Sequence, residues 1–324
     1  MPHAIRIHAH GGPEVLRWED LPLGEPGPNE VRIKQEAVGL NFIDIYHRTG
    51  LYKVELPTAL GLEGAGIIDA VGTDVTDFKI GDRIAYASGP IGSYAEIRLM
   101  PADKIVALPA HCSTKIAAAI LLQGMTAHYL IHDTFRVRPG HFILLHAAAG
   151  GVGQILTQWA KSKDAIVIGS VGSDDKAKVA KQHGADYTIV YTKENFTDRV
   201  KEITGGKGVD VVYDSVGKST FMGSLDCLKL RGTMVSFGQA SGPIPPFDIS
   251  ILAQKGSLYL TRPSLLHYTA TKEELRARAK DLFSALESGI INPSIGQTFP
   301  LKNAALAHQA LEARQTTGSV VLLP

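Results

Sequence analysis

The chain has 324 residues with 33 basic and 32 acidic side chains, a net charge of +1 that gives nucleic acid or an anionic membrane no purchase and leaves a small ligand as the expected partner. No apolar stretch approaches the roughly 20 residues a membrane span needs. The amino terminus MPHAIRIHAHGG lacks a signal-peptide layout, and Cys112 and Cys227 stand far apart outside any CxxC spacing, so no disulfide framework or thiolate metal site is indicated and a cytoplasmic location is expected.

Residues 1–122 carry short runs such as EVRIKQEAVGL, GAGIIDAVG and DRIAYA, separated by Gly, Pro, Asn and Asp clusters. That pattern predicts a compact, mostly antiparallel β domain. His8 and His10 are expected to alternate on a strand without further signal. His128 and His132, four apart on a predicted helix, are half a metal site with no third ligand in sight, so packed or surface histidines are expected.

Over residues 123–264 the pattern changes to six near-continuously apolar runs: HFILLHAA, AIVIGSV, DYTIVY, VDVVYDS, GTMVSFG and GSLYLTR. Strands buried on both faces read this way. Helical stretches such as GQILTQWAKSK lie between them, so the prediction is a Rossmann-type, doubly wound parallel sheet in an α/β fold. Residues 265–324 turn helical again (TKEELRARAKDLFSALESG, LKNAALAHQALEARQ) and close with GSVVLL, a strand expected to return to the first domain.

LLHAAAGGVGQ, residues 144–154, joins the first central strand to its helix. The dinucleotide fingerprint G-x-G-x-x-G falls on Ala148, Gly150 and Gly153, with alanine in the first place and the helix expected to open at Gln154. Gly150 and Gly151 let backbone approach a pyrophosphate, Gly153 lets helix pack on strand, and amides at the helix start attract phosphate. We read the loop as a phosphate cradle.

The second strand ends in IGSVGSDDK. An NAD site places an acidic group here for the ribose; Gly169, Ser170, Gly172 and Ser173 instead leave room for a further phosphate, with Lys176 near enough to neutralise it. Asp174 and Asp175 are alternative ribose acceptors, but they lie beyond the strand end and also suit the cap and first turn of the next helix. The expected cofactor is NADPH, its 2′-phosphate among Ser173, Lys176 and Tyr191.

AVGLNFIDIYHRTGLY, GLEGAGIIDAVG, GDRIAY, HAAAGGVGQ, ITGGKGVDVVYDSVG and TRPSL follow one another along nearly the whole chain. In this order they resemble the medium-chain dehydrogenase/reductase superfamily, and within it the zinc-free quinone oxidoreductases. The resemblance implies an NADPH-dependent quinone reductase, a GroES-like catalytic domain split around the Rossmann-type domain, and a homodimer in which GSLYLTRPSL extends the sheet of its twin. It implies Asn41 near the nicotinamide and its ribose, Tyr46 and Tyr52 at the substrate, and Arg262 near the cofactor. By the same resemblance Thr126, Tyr129, Val152, Ser215, Phe237, Gly238, Gln239 and Ser264 join Gly150, Gly151, Gly172 and Ser173 in holding NADPH. Asp44 and Glu63 are expected to hold loops together.

Where the zinc enzymes of that superfamily carry ligands, this chain resembles them but has Asn41, Leu62 before Glu63, and Leu122, and the cysteine count rules out their four-cysteine structural site. No metal is expected. Zinc lowers the pKa of an alcohol oxygen, whereas a quinone carbonyl is already electrophilic and its reduced anion can be held by hydrogen bonds. The expected reaction is direct hydride transfer followed by protonation from tyrosine or water. Two alternatives accompany it: a reductase of α,β-unsaturated ketones or aldehydes, and a nucleotide-dependent RNA-binding or structural protein. Near-zero net charge argues against RNA.

Overall fold

The computed structural model describes all 324 residues. They form two compact units, one of Met1–Met125, Thr269–Glu287 and Pro293–Pro324, the other of Thr126–Tyr268 with Ser288–Asn292. The divisions fall a few residues beyond 122 and 264. The first lies inside a helix whose apolar run continues through Gly124, a glycine against which the Leu282 side chain packs closely.

In chain order the first unit begins with β1 (His3–Ile7), β2 (Arg17–Asp20), β3 (Glu30–Leu40), helix α1 (Phe42–Thr49), β4 (Thr58–Ala59) and β5 (Glu63–Val71). It continues through β6 (Arg83–Tyr86), β7 (Ile97–Pro101), β8 (Val106–Ala107) and helix α2 (Thr114–Tyr129). The second unit contains β9 (Phe142–His146), α3 (Gly151–Lys161), β10 (Ile166–Val171), α4 (Asp174–Gln182), β11 (Tyr187–Val190) and α5 (Phe196–Ile203). After these come β12 (Val209–Asp214), α6 (Phe221–Asp226), β13 (Leu228–Ser236), α7 (Ser250–Gln254), β14 (Tyr259–Thr261) and α8 (Leu265–Tyr268). The chain then returns to the first unit as α9 (Lys272–Glu287), β15 (Ile295–Pro300), α10 (Ala304–Glu312) and β16 (Ser319–Leu323).

The first unit is built on a seven-stranded sheet, ordered β15-β16-β3-β5-β6-β8 with β7 also on β3, and a smaller sheet β2-β1-β4. The closing strand β16 pairs antiparallel with β3, Val321 opposite Gly39, which fixes the carboxyl terminus in this unit. Alternate residues of β3 point into a core of Val31, Ile33, Ile68, Ile84 and Met100. β1 ends at Ile7, so His8 and His10 lie beyond it instead of alternating on a strand; His8 bonds Glu19 at 2.7 Å and the His10 ring packs against Gly50.

The second unit is a six-stranded sheet of order β11-β10-β9-β12-β13-β14, parallel throughout. All six residues of β12 are buried, as a strand covered on both faces must be. Strand order reverses between β9 and β12, so the connections leave the carboxyl ends of these two strands in opposite directions and open a crevice there. β13 starts earlier than expected, at Leu228, and β14 shrinks to three residues at the sheet edge. After Tyr129 the helix passes into a π turn, Leu130–Thr134, that stacks the rings of His128 and His132 at 4.2 Å and sets both edge-on to Trp159.

Candidate functional site

In the second unit, β9 runs into Ala147, which adopts a left-handed φ of 55°, and the backbone turns through Gly150 into α3. The helix opens at Gly151, three residues before the expected Gln154, because the glycines themselves supply its first turn. The N–H groups of Gly151, Val152 and Gly153 therefore stand at a helix start with no intrahelical acceptor. A Cβ on Gly153 would lie 2.8 Å from the carbonyl carbon of Ala148, and one on Gly150 3.2 Å from the Ala147 oxygen. At Gly153 only glycine permits this approach, at Gly150 a side chain would be crowded, and the resulting cradle of donors fits a diphosphate.

At the end of β10 a Cβ on Gly172 would meet the Tyr191 hydroxyl at 2.8 Å, so the phenol lies directly over this glycine. Ser173 caps α4, its Oγ accepting the Lys176 N–H at 3.4 Å, and Lys176 stands in the first turn. Asp174 pairs with Lys193, and Asp175 with Lys178 at 2.9 Å. Both acids thus have cationic partners, and Gly172, Ser173 and Tyr191 come together at the strand end.

Next along the sheet, Phe237 and Gly238 donate their N–H groups to the Asp214 carbonyl at 2.8 and 3.3 Å. A Cβ on Gly238 would lie 2.6 Å from the Ser215 oxygen, so the turns after β12 and β13 touch through backbone. Gln239 accepts from Gly242 across this turn, Arg262 Nη1 donates to the Ser236 carbonyl at 2.8 Å, and the Ser264 carbonyl opens α8. All of these residues cluster at the carboxyl ends of the parallel strands. Thr126 and Tyr129 are buried on α2, where Tyr129 stacks on Tyr268 of α8 at 4.3 Å.

In the first unit, Asn41 caps α1 and sits inside a chain of directed hydrogen bonds. Its Nδ2 donates to Glu63 Oε2 at 2.7 Å, and its Oδ1 accepts Gln123 Nε2 at 3.2 Å. Ser319 Oγ donates to Gln123 Oε1 at 2.8 Å, and the Leu122 N–H donates to Glu63 Oε1 at 2.8 Å. Gly39 has no room for a Cβ beside the Glu63 carboxylate and the Ala118 carbonyl, so a side chain there would expel the acid. Burial pushes Glu63 up to about 8 against the pull of its donors.

Asp44 anchors the other side of the cap. Its Oδ2 accepts the Asn41 N–H and the Tyr94 hydroxyl, each at 2.9 Å, and burial pushes it up to about 7. Behind Tyr94 stands His308, whose Nε2 is 3.0 Å from the phenol oxygen and whose Nδ1 is 3.1 Å from Arg48 Nη1. Arg48 forks onto Glu312 at 2.6 and 3.0 Å. Since Arg48 is always a donor, His308 carries its proton on Nε2; burial, reinforced by Arg48, holds its pKa down to about 3. Tyr46 and Tyr52 meet edge to face at 5.1 Å, and the Tyr52 N–H donates to the Tyr46 carbonyl.

Glu63 therefore holds loops together as expected, through Asn41 and Leu122, two of the positions where the resemblance places zinc ligands in other enzymes. These residues do not fit zinc: Leu62 and Leu122 are aliphatic, the Asn41 amide is bonded on both sides, and no three His, Cys, Asp or Glu side chains group to hold a metal. Gln123, Ser319, Tyr94, Arg48 and His308 were not singled out from the sequence. Ser319 is 196 residues from Gln123 and His308 260 from Arg48, so no local pattern could have joined them.

Residues 151–284 match a family model described as zinc-binding dehydrogenase, and residues 27–110 match the alcohol dehydrogenase GroES-like domain. The chain is 53% identical over 325 residues to a quinone oxidoreductase of Pseudomonas aeruginosa, covering 100% of both chains. It is 45% identical over 331 residues to a 2-haloacrylate reductase of Burkholderia sp, covering 100% of this chain and 99% of the relative. The solved structure of Escherichia coli quinone oxidoreductase complexed with NADPH superposes with a TM-score of 0.98 at 48% identity, covering 99% of this chain and 100% of that one.

Proposed function

The chain belongs to the quinone oxidoreductases of the medium-chain dehydrogenase/reductase family, and from that premise we propose that it reduces quinones with NADPH by direct hydride transfer. The observation that carries this reading is the strand-end cradle of the second unit, where Gly153 admits no side chain and both Asp174 and Asp175 are paired with lysines. Bound NADPH supplies the hydride, from its nicotinamide ring. The amides of Gly151 and Val152 bind the diphosphate beside Gly150, and Ser173, Lys176 and Tyr191 surround the 2′-phosphate next to Gly172. Ser215, Phe237, Gly238, Gln239, Arg262 and Ser264, with Thr126 and Tyr129, complete the cofactor contacts.

Asn41 orients the nicotinamide ribose through its locked amide, while Tyr46 and Tyr52 donate hydrogen bonds to the quinone oxygen and supply its proton. A quinone becomes an aromatic anion on reduction, so hydrogen bonds suffice to stabilise it. The test is an NADPH oxidation assay over a panel of quinones and enones with a metal chelator present. Undiminished quinone turnover is expected; absence of turnover, or turnover that returns only with added zinc, overturns the proposal.

A second reading, reduction of an activated carbon–carbon double bond, is favoured by the similarity to 2-haloacrylate reductase. The enone half of the same panel separates the two. We also propose a homodimer: β14 ends the parallel sheet, with Tyr259 and Leu260 exposed along the edge available to a twin strand. No helix is long and apolar enough to cross a membrane, and the two buried free thiols suit the cytoplasm that we assign.

A further inference from the structure

Three neighbouring strands of the second unit end in polar side chains amid an apolar sheet. Ser170 of β10 is in register with His146 of β9; Asp214 of β12 follows Tyr213, the partner of Leu145. One layer below, the residues are Leu144, Ile168 and Val212, members of the apolar core. Ser170 and His146 are 1% exposed, and Asp214 and Ser224 of α6 are fully buried. Polar groups removed from water this completely are costly unless each is paired.

They are paired in a fixed direction. His146 Nδ1 lies 2.7 Å from Ser170 Oγ and Nε2 2.9 Å from Ser224 Oγ, which donates to Asp214 Oδ2 at 3.2 Å. Because the carboxylate accepts, Ser224 receives the Nε2 proton and Ser170 donates to Nδ1; burial, which lowers the His146 pKa, keeps the ring in the neutral form this order requires. Asp214 also accepts Thr220 Oγ1 at 2.7 Å and, through Oδ1, the N–H groups of Val216 and Gly217 at 2.7 and 3.0 Å, which shapes the turn containing Ser215. The phosphate loop begins one residue after His146 and Gly172 comes two residues after Ser170.

We propose that His146 is a positioning residue for the dinucleotide, tying the ends of β9, β10 and β12 so that the phosphate loop, the 2′-phosphate end and the Ser215 turn keep the spacing that one extended ligand requires. The proposal rests on the NADPH reading above. An aliphatic side chain would fill the same volume in the sheet, but it would leave Ser170 and Ser224 without their shared partner and the three strand ends free to drift.

The test compares His146→Gln and His146→Leu by direct titration with NADPH and with adenosine 2′-monophosphate, a fragment that lacks the diphosphate and reaches the β10 end alone. For His146→Leu the Kd of NADPH is expected to rise about tenfold while that of the fragment changes less than about twofold. His146→Gln, which retains one donor and one acceptor, should stay within about threefold for both. Unchanged NADPH affinity in His146→Leu, or equal losses for both ligands as a merely loosened fold would give, overturns the proposal. Should His146→Leu fail to fold, Ser224→Ala must show the same split in smaller degree, and its absence there is equally fatal. A wild-type protein that binds neither ligand instead removes the cofactor reading, and this proposal falls with it.

Discussion

The side-chain amide nitrogen of Asn41 lies 2.7 Å from one oxygen of Glu63, whose other oxygen accepts the backbone N–H of Leu122 at 2.8 Å. Each Glu63 oxygen accepts one N–H. A carboxyl keeps an acceptor lone pair on both oxygens even when protonated, whereas an amide nitrogen has none, so Glu63→Gln sets a new donor against one of two N–H groups. The Leu122 backbone cannot turn; relief comes from flipping the Asn41 and Gln123 amides, with the Ser319 hydroxyl changing from donor to acceptor. Asn41 would then offer the cofactor reversed polarity. We expect NADPH affinity to fall roughly tenfold with thermal stability little altered, read by titration and melting; unaltered affinity removes Asn41 from the cofactor site.

Asp44 and Glu63 are raised to about 7 and about 8 from ordinary values of 3.8 and 4.5, so folding retains protons that the unfolded chain releases. Their stabilising effect is complete below the unfolded values and is lost as pH rises through the folded ones. His308, lowered to about 3 from 6.5, acts oppositely, costing stability as pH falls below 6.5. Between 6.5 and about 8 the carboxyls act without it, and unfolding free energy should decline with pH at up to about 1.4 kcal/mol per unit per carboxyl. Asp44→Asn should flatten the lower part of this slope in urea titrations, since both bonds to Asp44 end on Oδ2 and an amide oxygen can accept both.

Lys176→Ala should raise the KM for NADPH about 10- to 150-fold, the loss of one charge-assisted contact, and leave NADH nearly unaffected. Asp174 and Asp175, each paired with another lysine, give NADH no compensating ribose acceptor. Equal losses with both cofactors would refute the placement of the 2′-phosphate.

Tyr46→Phe and Tyr52→Phe keep the edge-to-face contact of the two rings and remove only hydroxyls. If these phenols hold the developing anion, kcat/KM for a water-soluble quinone should fall roughly 10- to 150-fold in the variant that loses the main donor. Full activity in both single variants, measured by NADPH oxidation, ends their assignment.

Leu260→Asp sets a charge on the exposed edge of β14 and should convert the proposed dimer into a 34.7 kDa species by light scattering. A wild-type mass of 34.7 kDa at every concentration would dispose of the dimer itself.

The parallel sheet was legible in the sequence because buried strands announce themselves locally: VDVVYD is apolar or paired at every position, and GGVG allows little but a tight turn into a helix. Glycine contacts such as that of Gly153 with the Ala148 backbone are encoded within a few residues, so the close turn from β9 into α3 could be read directly, with its helix start misplaced from Gly151 to Gln154. Tertiary structure alone decided what surrounds Asn41 and His146. Gln123 finds Ser319 and Arg48 finds His308 only once β16 and α10 return to the first unit, and His146 meets Ser224 across the sheet-to-helix interface. Hydrogen-bond order depends on distances and directions between residues remote in sequence, and no periodicity carries that information.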